Sequence, residues 1–116
     1  NERVFIMSKS MFKVTKDSCE ASTSWKNNHR VRNTEDLYNF YSNQDHNQDT
    51  IILTENKEEA QAAFDKACKE AEVSEYKSNN LIVFPAIEFV EVEIDEDDME
   101  TEWDTIDLFI PEWNAD

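Results

Sequence analysis

A helical periodicity over residues 56–72 constrains this chain more than any other feature. Apolar side chains recur there at i, i+3, i+4, i+7, i+8 and i+11: Ala60, Ala63, Phe64, Ala67, Cys68 and Ala71. The residues between them are polar, so the pattern predicts an amphipathic α-helix. Asn56 can cap this helix and Glu59 can complete a capping box, with Thr54 as a rival cap. Because alanine dominates the stripe, we expect the helix to lie close against a sheet.

Shorter runs on both sides of this helix predict the strands. The period of two in Arg3–Lys16 predicts the first strand, or two strands with a kink between them, and the polar stretch Asp17–Asn28 predicts a loop. Further strands are predicted at Thr50–Thr54, Leu81–Phe84, Ile87–Ile94 and Thr105–Ile110. Pro85 is expected to end or bulge one strand because it cannot donate to a central ladder. The stretches Val73–Asn80 and Asp95–Asp104 are expected to be a connector and an acidic loop.

The chain has 116 residues, the length of one ordinary domain. We expect a single α+β domain over residues 1–116, with a mixed or mostly antiparallel sheet of about four to six strands. The main helix, at about residues 56–72, is expected to pack on the sheet. Asn33–Tyr41 predicts a short second helix, because Asn33 or Thr34 can cap it and acids occupy its first turn. An acidic β-hairpin is expected at about residues 87–110.

Composition argues against an enzyme. Glycine is absent, which excludes the P-loop, the dinucleotide turn, the nucleophile elbow and the glycine-containing EF-hand loop. The only two histidines, His29 and His46, lie in polar connectors without an evident Ser or Cys partner. His46 between Asp45 and Asp49 lacks the ligand set of a typical zinc site. We therefore expect no catalytic residues, no metal and no cofactor.

The apolar runs and the cysteines indicate a cytoplasmic protein. No run approaches the roughly 20 consecutive apolar residues of a membrane span. Val4–Met7 is too short for the apolar core of a signal peptide. Cys19 and Cys68 have no metal-binding or redox spacing and are expected to be buried as small apolar residues.

The charge is strongly segregated. The net charge is −16, yet residues 1–32 carry +4 and residues 33–116 carry −20. No base follows Lys77, whereas thirteen acids do. The cluster of Lys26, His29, Arg30 and Arg32 is open to three interpretations: a solvated edge or loop, a basic contact patch, or a counter-ion for the acidic half.

The acids of the C-terminal hairpin form the candidate partner-binding surface. Its members are Glu88, Glu91, Glu93, Asp95, Glu96, Asp97, Asp98, Glu100, Glu102, Asp104 and Asp107. Alternate acids on a strand lie about 7 Å apart, a spacing of the same order as that of phosphates along a DNA strand. Such a track is expected to dock on a basic, nucleic-acid-binding protein, with affinity that falls as salt rises. Direct binding of nucleic acid is not expected, because the acidic part repels phosphate.

Other interpretations of the same acids remain open. They can be a solvated surface that keeps a small protein soluble. Asp95, Asp97 and Asp98 offer oxygen ligands for a divalent cation, without the spacing of an EF-hand. Catalysis by paired carboxylates needs two acids in one pocket, whereas these acids lie in series.

In its small size, in the concentration of acids on strands and loops, and in lacking a catalytic set, the chain resembles the phage- and plasmid-encoded DNA-mimic inhibitors. Anti-CRISPR and anti-restriction proteins belong to this class. The resemblance is one of size and composition. It implies a host defence nuclease or another DNA-binding protein as target, and no catalysis by the chain itself. The alternative is a structural or interaction protein of a phage or mobile element. In that case the protein is a homo-oligomer, with the basic N-terminal segment against a neighbour's acidic face, or the acids serve solubility.

Overall fold

The computed structural model describes residues 8–24 and 30–115. Within them the chain forms five strands and two α-helices: β1 (Lys9–Ser22), α1 (Thr34–Ser42), β2 (Asp49–Thr54), α2 (Lys57–Glu70), β3 (Ser74–Tyr76), β4 (Leu81–Ile94) and β5 (Glu100–Phe109). A 3₁₀ turn at Lys77–Asn79 joins β3 to β4. The α+β class is confirmed, with the sheet dominant. Residues 3–7 of the predicted first strand, and Trp25 to Asn28 of the predicted loop, lie outside the described residues.

The sheet is built on one long antiparallel pair. β1 and β4 align over 14 residues, from Lys9 opposite Ile94 to Ser22 opposite Leu81. β2 pairs with the outer edge of β1, so the order along one path is β2-β1-β4-β3. β5 also pairs with β4, at the end away from β3. Every pair of described strands is antiparallel, which agrees with the second form of the predicted mixed or mostly antiparallel sheet.

The predicted loop from Asp17 onward is wrong as far as Ser22, because β1 continues through it. Asp17 and Ala21 are buried, whereas Lys16, Ser18 and Glu20 are exposed, so the period of two continues. Polar residues on the inward positions concealed this alternation in the sequence. Pairing with β4 over the whole length supplies the backbone hydrogen bonds that hold the segment extended.

The predicted break at Pro85 is absent, and β4 is one continuous strand. Along β4, pairing with β3 stops at Val83 and pairing with β5 starts at Ile87, so among the described residues β4 has no partner on that side between them. On the other side Pro85 lies opposite Ser18 of β1. A proline fits such a gap because the missing N–H costs no ladder hydrogen bond there.

Two further segments that were predicted as connector and loop form strands, because both pair with β4. The expected connector before β4 contains the short strand β3. The expected acidic loop is a strand from Glu100 onward, so only residues 95–99 form the hairpin turn. By contrast, the apolar run of Ile51, Ile52 and Leu53 predicts a buried strand, but β2 lies at the edge of the described sheet, with Ile51 and Leu53 each 43% exposed.

The helices contact opposite faces of the sheet. On one face, the α2 face, Ala60 and Phe64 cluster with Val14, Ile87 and Phe89. The α1 face is formed by the alternate residues of β1 and β4, where Leu37 and Tyr41 of α1 cluster with core residues at one end of the sheet: Ala21, Ile82, Phe84 and Ala86. At the other end of the α1 face, Val90, Val92 and Ile94 form a third buried cluster with Met11.

Both helices begin where their caps predict. The side chain of Asn33 accepts a hydrogen bond from the Asp36 N–H, and that of Asn56 accepts one from the Glu59 N–H. The N–H of Asn56 donates to Thr54 Oγ1 at 3.1 Å, so Thr54 takes the reciprocal role expected of the Glu59 side chain.

Candidate functional site

Two pairs of carboxylates face each other across the β4–β5 hairpin. Glu91 lies directly opposite Asp104, and Glu93 lies directly opposite Glu102. Directly opposed side chains share one face of a sheet and lie about 5 Å apart, and all four belong to the α2 face. No hydrogen bond or ion pair joins these four carboxylates to another residue in the described parts of the chain. We call Glu91, Glu93, Glu102 and Asp104 the acidic ladder.

Two bulges in β5 decide which acids belong to this face. The register with β4 skips Thr101 and Ile106. In a regular strand Glu100 would share the face of Glu102, but the first bulge brings it opposite Ile94, on the α1 face. The second bulge has the converse effect, since Asp107 lies opposite Phe89 on the α2 face. The alternation of the sequence alone assigns both residues to the other face.

Acids of α2 and β5 also meet beside the ladder. Burial, with the carboxylates of Asp107 and Asp65 nearby, raises the pKa of the Cys68 thiol to about 11. Asp65 Oδ1 accepts a hydrogen bond of 3.0 Å from Gln61 Nε2 on the preceding helix turn. The α2 face therefore carries carboxylates from three elements, and Cys68 remains a protonated thiol beneath them at neutral pH.

The hairpin turn uses one of its acids to hold its shape. Asp95 Oδ1 accepts hydrogen bonds from the N–H groups of Asp97 at 2.9 Å and Met99 at 3.0 Å. Asp98 has a φ of 60°, a left-handed conformation that favours glycine and is tolerated by aspartate. The carboxylate of Asp95 thus stabilises the turn, whereas Glu96, Asp97 and Asp98 are exposed at its tip.

Two of the predicted partner-binding acids are engaged on the opposite face. Glu100 Oε1 lies 2.7 Å from Lys13 Nζ. Glu88 accepts hydrogen bonds from Gln48 Nε2 at 2.7 Å and from Thr105 Oγ1 at 2.9 Å. Lys13 therefore acts as a counter-ion for the acidic half, a role the sequence offered to the Lys26–Arg32 cluster. Within that cluster Arg32 pairs with Asp36 at 3.5 Å, and Lys26 and His29 lie outside the described residues.

The structure reveals a polar cluster on the α1 face that sequence reasoning missed. Gln48 Nε2 donates to Tyr41 Oη at 2.9 Å and bridges it to Glu88. Burial raises the pKa of Tyr41 to about 12, and burial also raises the pKa of Asp17 above its ordinary value. The signal available in the sequence was the continued alternation of Asp17, Cys19 and Ala21, which assigns Asp17 to a buried face.

His46 has a packing role in this cluster. Its ring stacks on Tyr41, with centroids 4.0 Å apart and planes 10° apart. Its Nε2 lies 2.7 Å from the carbonyl oxygen of Tyr41, and because a carbonyl can only accept, Nε2 carries the proton. In the described part of the chain, no group of three or more His, Cys, Asp or Glu side chains is arranged to hold a metal ion. Cys19 and Cys68 are both free, and they lie on opposite faces of the sheet.

The fold and the surface together define an α+β protein with a dominant antiparallel sheet and an acidic hairpin. Comparison with known protein families, with curated proteins and with solved structures gave no match. Among the described residues, no helix has the length and apolar character needed to cross a membrane.

Proposed function

We propose that this chain is a non-enzymatic acidic binding protein that docks its α2 face on a basic surface of a nucleic-acid-binding protein. The observation that carries the proposal is the acidic ladder, in which Glu91 opposes Asp104 and Glu93 opposes Glu102, and in the described parts of the chain no lysine or arginine pairs with these carboxylates. Exposed acids at the hairpin tip extend the same negative surface.

Electrostatics favours a cationic partner for the ladder. Like charges directly opposite each other in a sheet destabilise it, by up to about 1 kcal/mol per pair. A partner's lysine or arginine between two opposed carboxylates relieves that repulsion and gains two attractive contacts. The surrounding negative potential also accelerates encounter with a basic surface, an effect that salt screens.

The finer proposal is mimicry of DNA, with a host defence nuclease as the target. The ladder repeats its carboxylates about 7 Å apart along each strand and about 5 Å across the hairpin, which gives two parallel rows of negative charge on a twisted ribbon. A groove lined with Lys and Arg for two rows of phosphates has the complementary charge. Occupation of that groove inhibits the target by competition, with no chemistry by this chain.

A pull-down from a bacterial lysate at low and high salt tests the proposal. The test variant combines Glu91→Gln, Glu93→Gln, Glu102→Gln and Asp104→Asn. The control removes the same number of charges from exposed acids far from the ladder: Glu35→Gln, Asp45→Asn, Glu72→Gln and Glu112→Gln. We expect wild type and control to retain one nucleic-acid-binding protein that salt releases, and the test variant to lose it.

The retained protein is then incubated with labelled DNA, and wild type is expected to displace the DNA where the ladder variant does not. Equal retention by the test variant contradicts a role for the ladder. Retention without displacement of DNA contradicts mimicry and leaves only docking on a basic protein.

One observation favours the second candidate, a self-associating structural protein whose acids serve solubility. β5 is an edge strand in the described sheet, and acids along an edge strand prevent pairing with other chains. In that case the test variant gains insolubility instead of losing a partner, which the soluble fraction after expression measures directly.

A further inference from the structure

The two outer edges of the described sheet are protected very differently. Among the described strands β5 pairs only with β4, and it carries Glu100, Glu102, Asp104 and Asp107. Among the same strands β2 pairs only with β1, and its four central residues, Thr50 to Leu53, are uncharged. An edge strand without charge, proline or cover presents free N–H and C=O groups to another strand. β2 has a bulge at Ile51, where its register with β1 shifts, but its central residues carry none of the other protections. Its edge is therefore more open to strand addition than the acidic edge of β5.

Apolar surface accompanies the open edge. Ile51 and Leu53 are each 43% exposed on β2. A groove of about 390 Å³ runs between β2 and α2, and Ile51, Ala63 and Ala67 contribute to its wall. Alanines on this side of α2 leave room beside the strand, so side chains of an added strand can enter the groove.

The charges beside this edge are balanced, unlike those of the rest of the chain. Lys16 lies opposite Asp49 in the register of β1 with β2. Lys9 pairs with Glu55 at 3.2 Å, just beyond the other end of β2. Lys66 and Glu70, one helix turn apart on α2, both line the groove. Each end of the edge and the adjoining helix thus carry both signs, which is what a self-complementary surface requires.

We propose that two copies of this chain associate through β2, strand against strand and antiparallel about a two-fold axis. The pairing extends the sheet across both copies and joins the two grooves, so that exposed Ile51 of each copy is covered. The two α2 helices then run antiparallel on one face, which brings Lys66 toward Glu70 of the partner subunit. The proposal is independent of what the acidic ladder binds.

The position of β2 in the sheet makes self-association compatible with the net charge of −16. β2 is separated from β5 by three strand spacings in the order β2-β1-β4-β5, about 14 Å. This distance exceeds the Debye length of about 8 Å at physiological salt, so the acids of β5 repel a second copy at this edge only weakly.

Sedimentation velocity across micromolar concentrations, at physiological salt, measures the mass. Wild type is expected to reach twice the chain mass, and the double variant Ile51→Lys with Leu53→Lys is expected to remain at the chain mass, because charged side chains on an edge strand block edge pairing. The matched control is Ile106→Lys, since Ile106 is 41% exposed on the opposite edge strand, β5. It is expected to associate like wild type. Circular dichroism verifies that all three proteins are folded.

The salt dependence of the measured mass distinguishes this interface from one held together by opposite charges. Because the copies repel each other overall, the β2 dimer is expected to be as tight or tighter at high salt. A wild type that stays at the chain mass overturns the proposal, as does a double variant that still doubles its mass. If Ile106→Lys dissociates the dimer as fully as the double variant does, or if salt dissociates the wild type, the interface is a different one and the proposal is overturned as well.

Discussion

Lys13 Nζ lies 2.7 Å from Glu100 Oε1, which joins two residues separated by 87 positions in the sequence. The same ammonium lies 5.1 Å from the centroid of the Trp103 ring. The side chains of Lys13 and Glu100 are only 15% and 30% exposed. The salt bridge between Lys13 and Glu100 therefore joins the basic N-terminal segment to the acidic hairpin. It is shielded from solvent and lies on the face opposite the acidic ladder.

We predict that Glu100→Gln destabilises the fold by about 1 to 2 kcal/mol. The substitution leaves the partly buried ammonium of Lys13 without its counter-ion, a loss larger than that of an exposed pair and smaller than that of a fully buried one. Urea unfolding measures the free energy. The control is Glu96→Gln at the exposed tip of the same hairpin, which is expected to change stability by less than about 0.5 kcal/mol. Equal effects of the two substitutions contradict the pairing.

A charge reversal inside the ladder tests its register. We predict that Glu102→Lys stabilises the protein by up to about 1 kcal/mol, because it turns the repulsive pair with Glu93 into an attractive one. Glu96→Lys is the matched control, since it makes the same change of charge in the turn, where no cross-strand partner exists.

In urea unfolding at low salt, Glu102→Lys should raise the free energy of unfolding more than Glu96→Lys does, and the difference between the two should shrink at high salt. If both variants gain the same stability, the gain reflects net charge alone and the register of Glu102 with Glu93 is not supported.

The helices were predictable from the sequence because their signals are local. The alanine stripe and Asn56 define α2 within a few residues, and Asn33 with its following acids defines α1. The ladder was not predictable, because its register depends on where β5 bulges. Glu100 was expected in a loop, and nothing near Thr101 in the sequence distinguishes a bulge from a regular strand, so the face on which Glu100 lies could not be predicted. The continuity of β4 through Pro85 could not be predicted for a similar reason, since it depends on where β3 begins and where β5 ends.

The aromatic contacts of Phe89 predict a large cost for its truncation. Its ring is fully buried, 5.8 Å from the ring of Phe64 on α2 and 6.4 Å from that of Phe12 on β1. Phe89→Ala leaves a cavity between helix and sheet and is expected to cost about 3 to 5 kcal/mol. Phe89→Leu, which keeps most of the volume, should cost clearly less. Urea unfolding of both variants measures this, and a loss below about 1 kcal/mol for the alanine variant contradicts the packing of α2 at this point.

Asp17 is expected to lower the free energy of unfolding as the pH rises and its carboxyl group ionises. Burial raises the pKa of Asp17 above its ordinary value of 3.8, against the opposing effects of His46 and of the Asn47 N–H. The folded state therefore holds this proton more tightly than the unfolded chain does. Ionised Asp17 costs stability at every pH above its folded pKa, and the cost vanishes below 3.8.

We accordingly predict that Asp17→Asn raises the free energy of unfolding at neutral pH and changes it little below pH 3.8. The asparagine retains one side-chain oxygen that can accept from the Asn47 N–H, while its neutral amide avoids the cost of a buried charge. Urea unfolding at both pH values measures the difference, with Glu20→Gln on the exposed face of β1 as the control. A variant that is less stable than wild type at neutral pH, or one whose gain is the same at both pH values, contradicts a raised pKa for Asp17. The first of these outcomes means that hydrogen bonds hold the carboxylate more strongly than burial opposes it, so that ionised Asp17 stabilises the junction between β1 and the loop that carries His46. The second means that the gain does not come from the ionisation of Asp17.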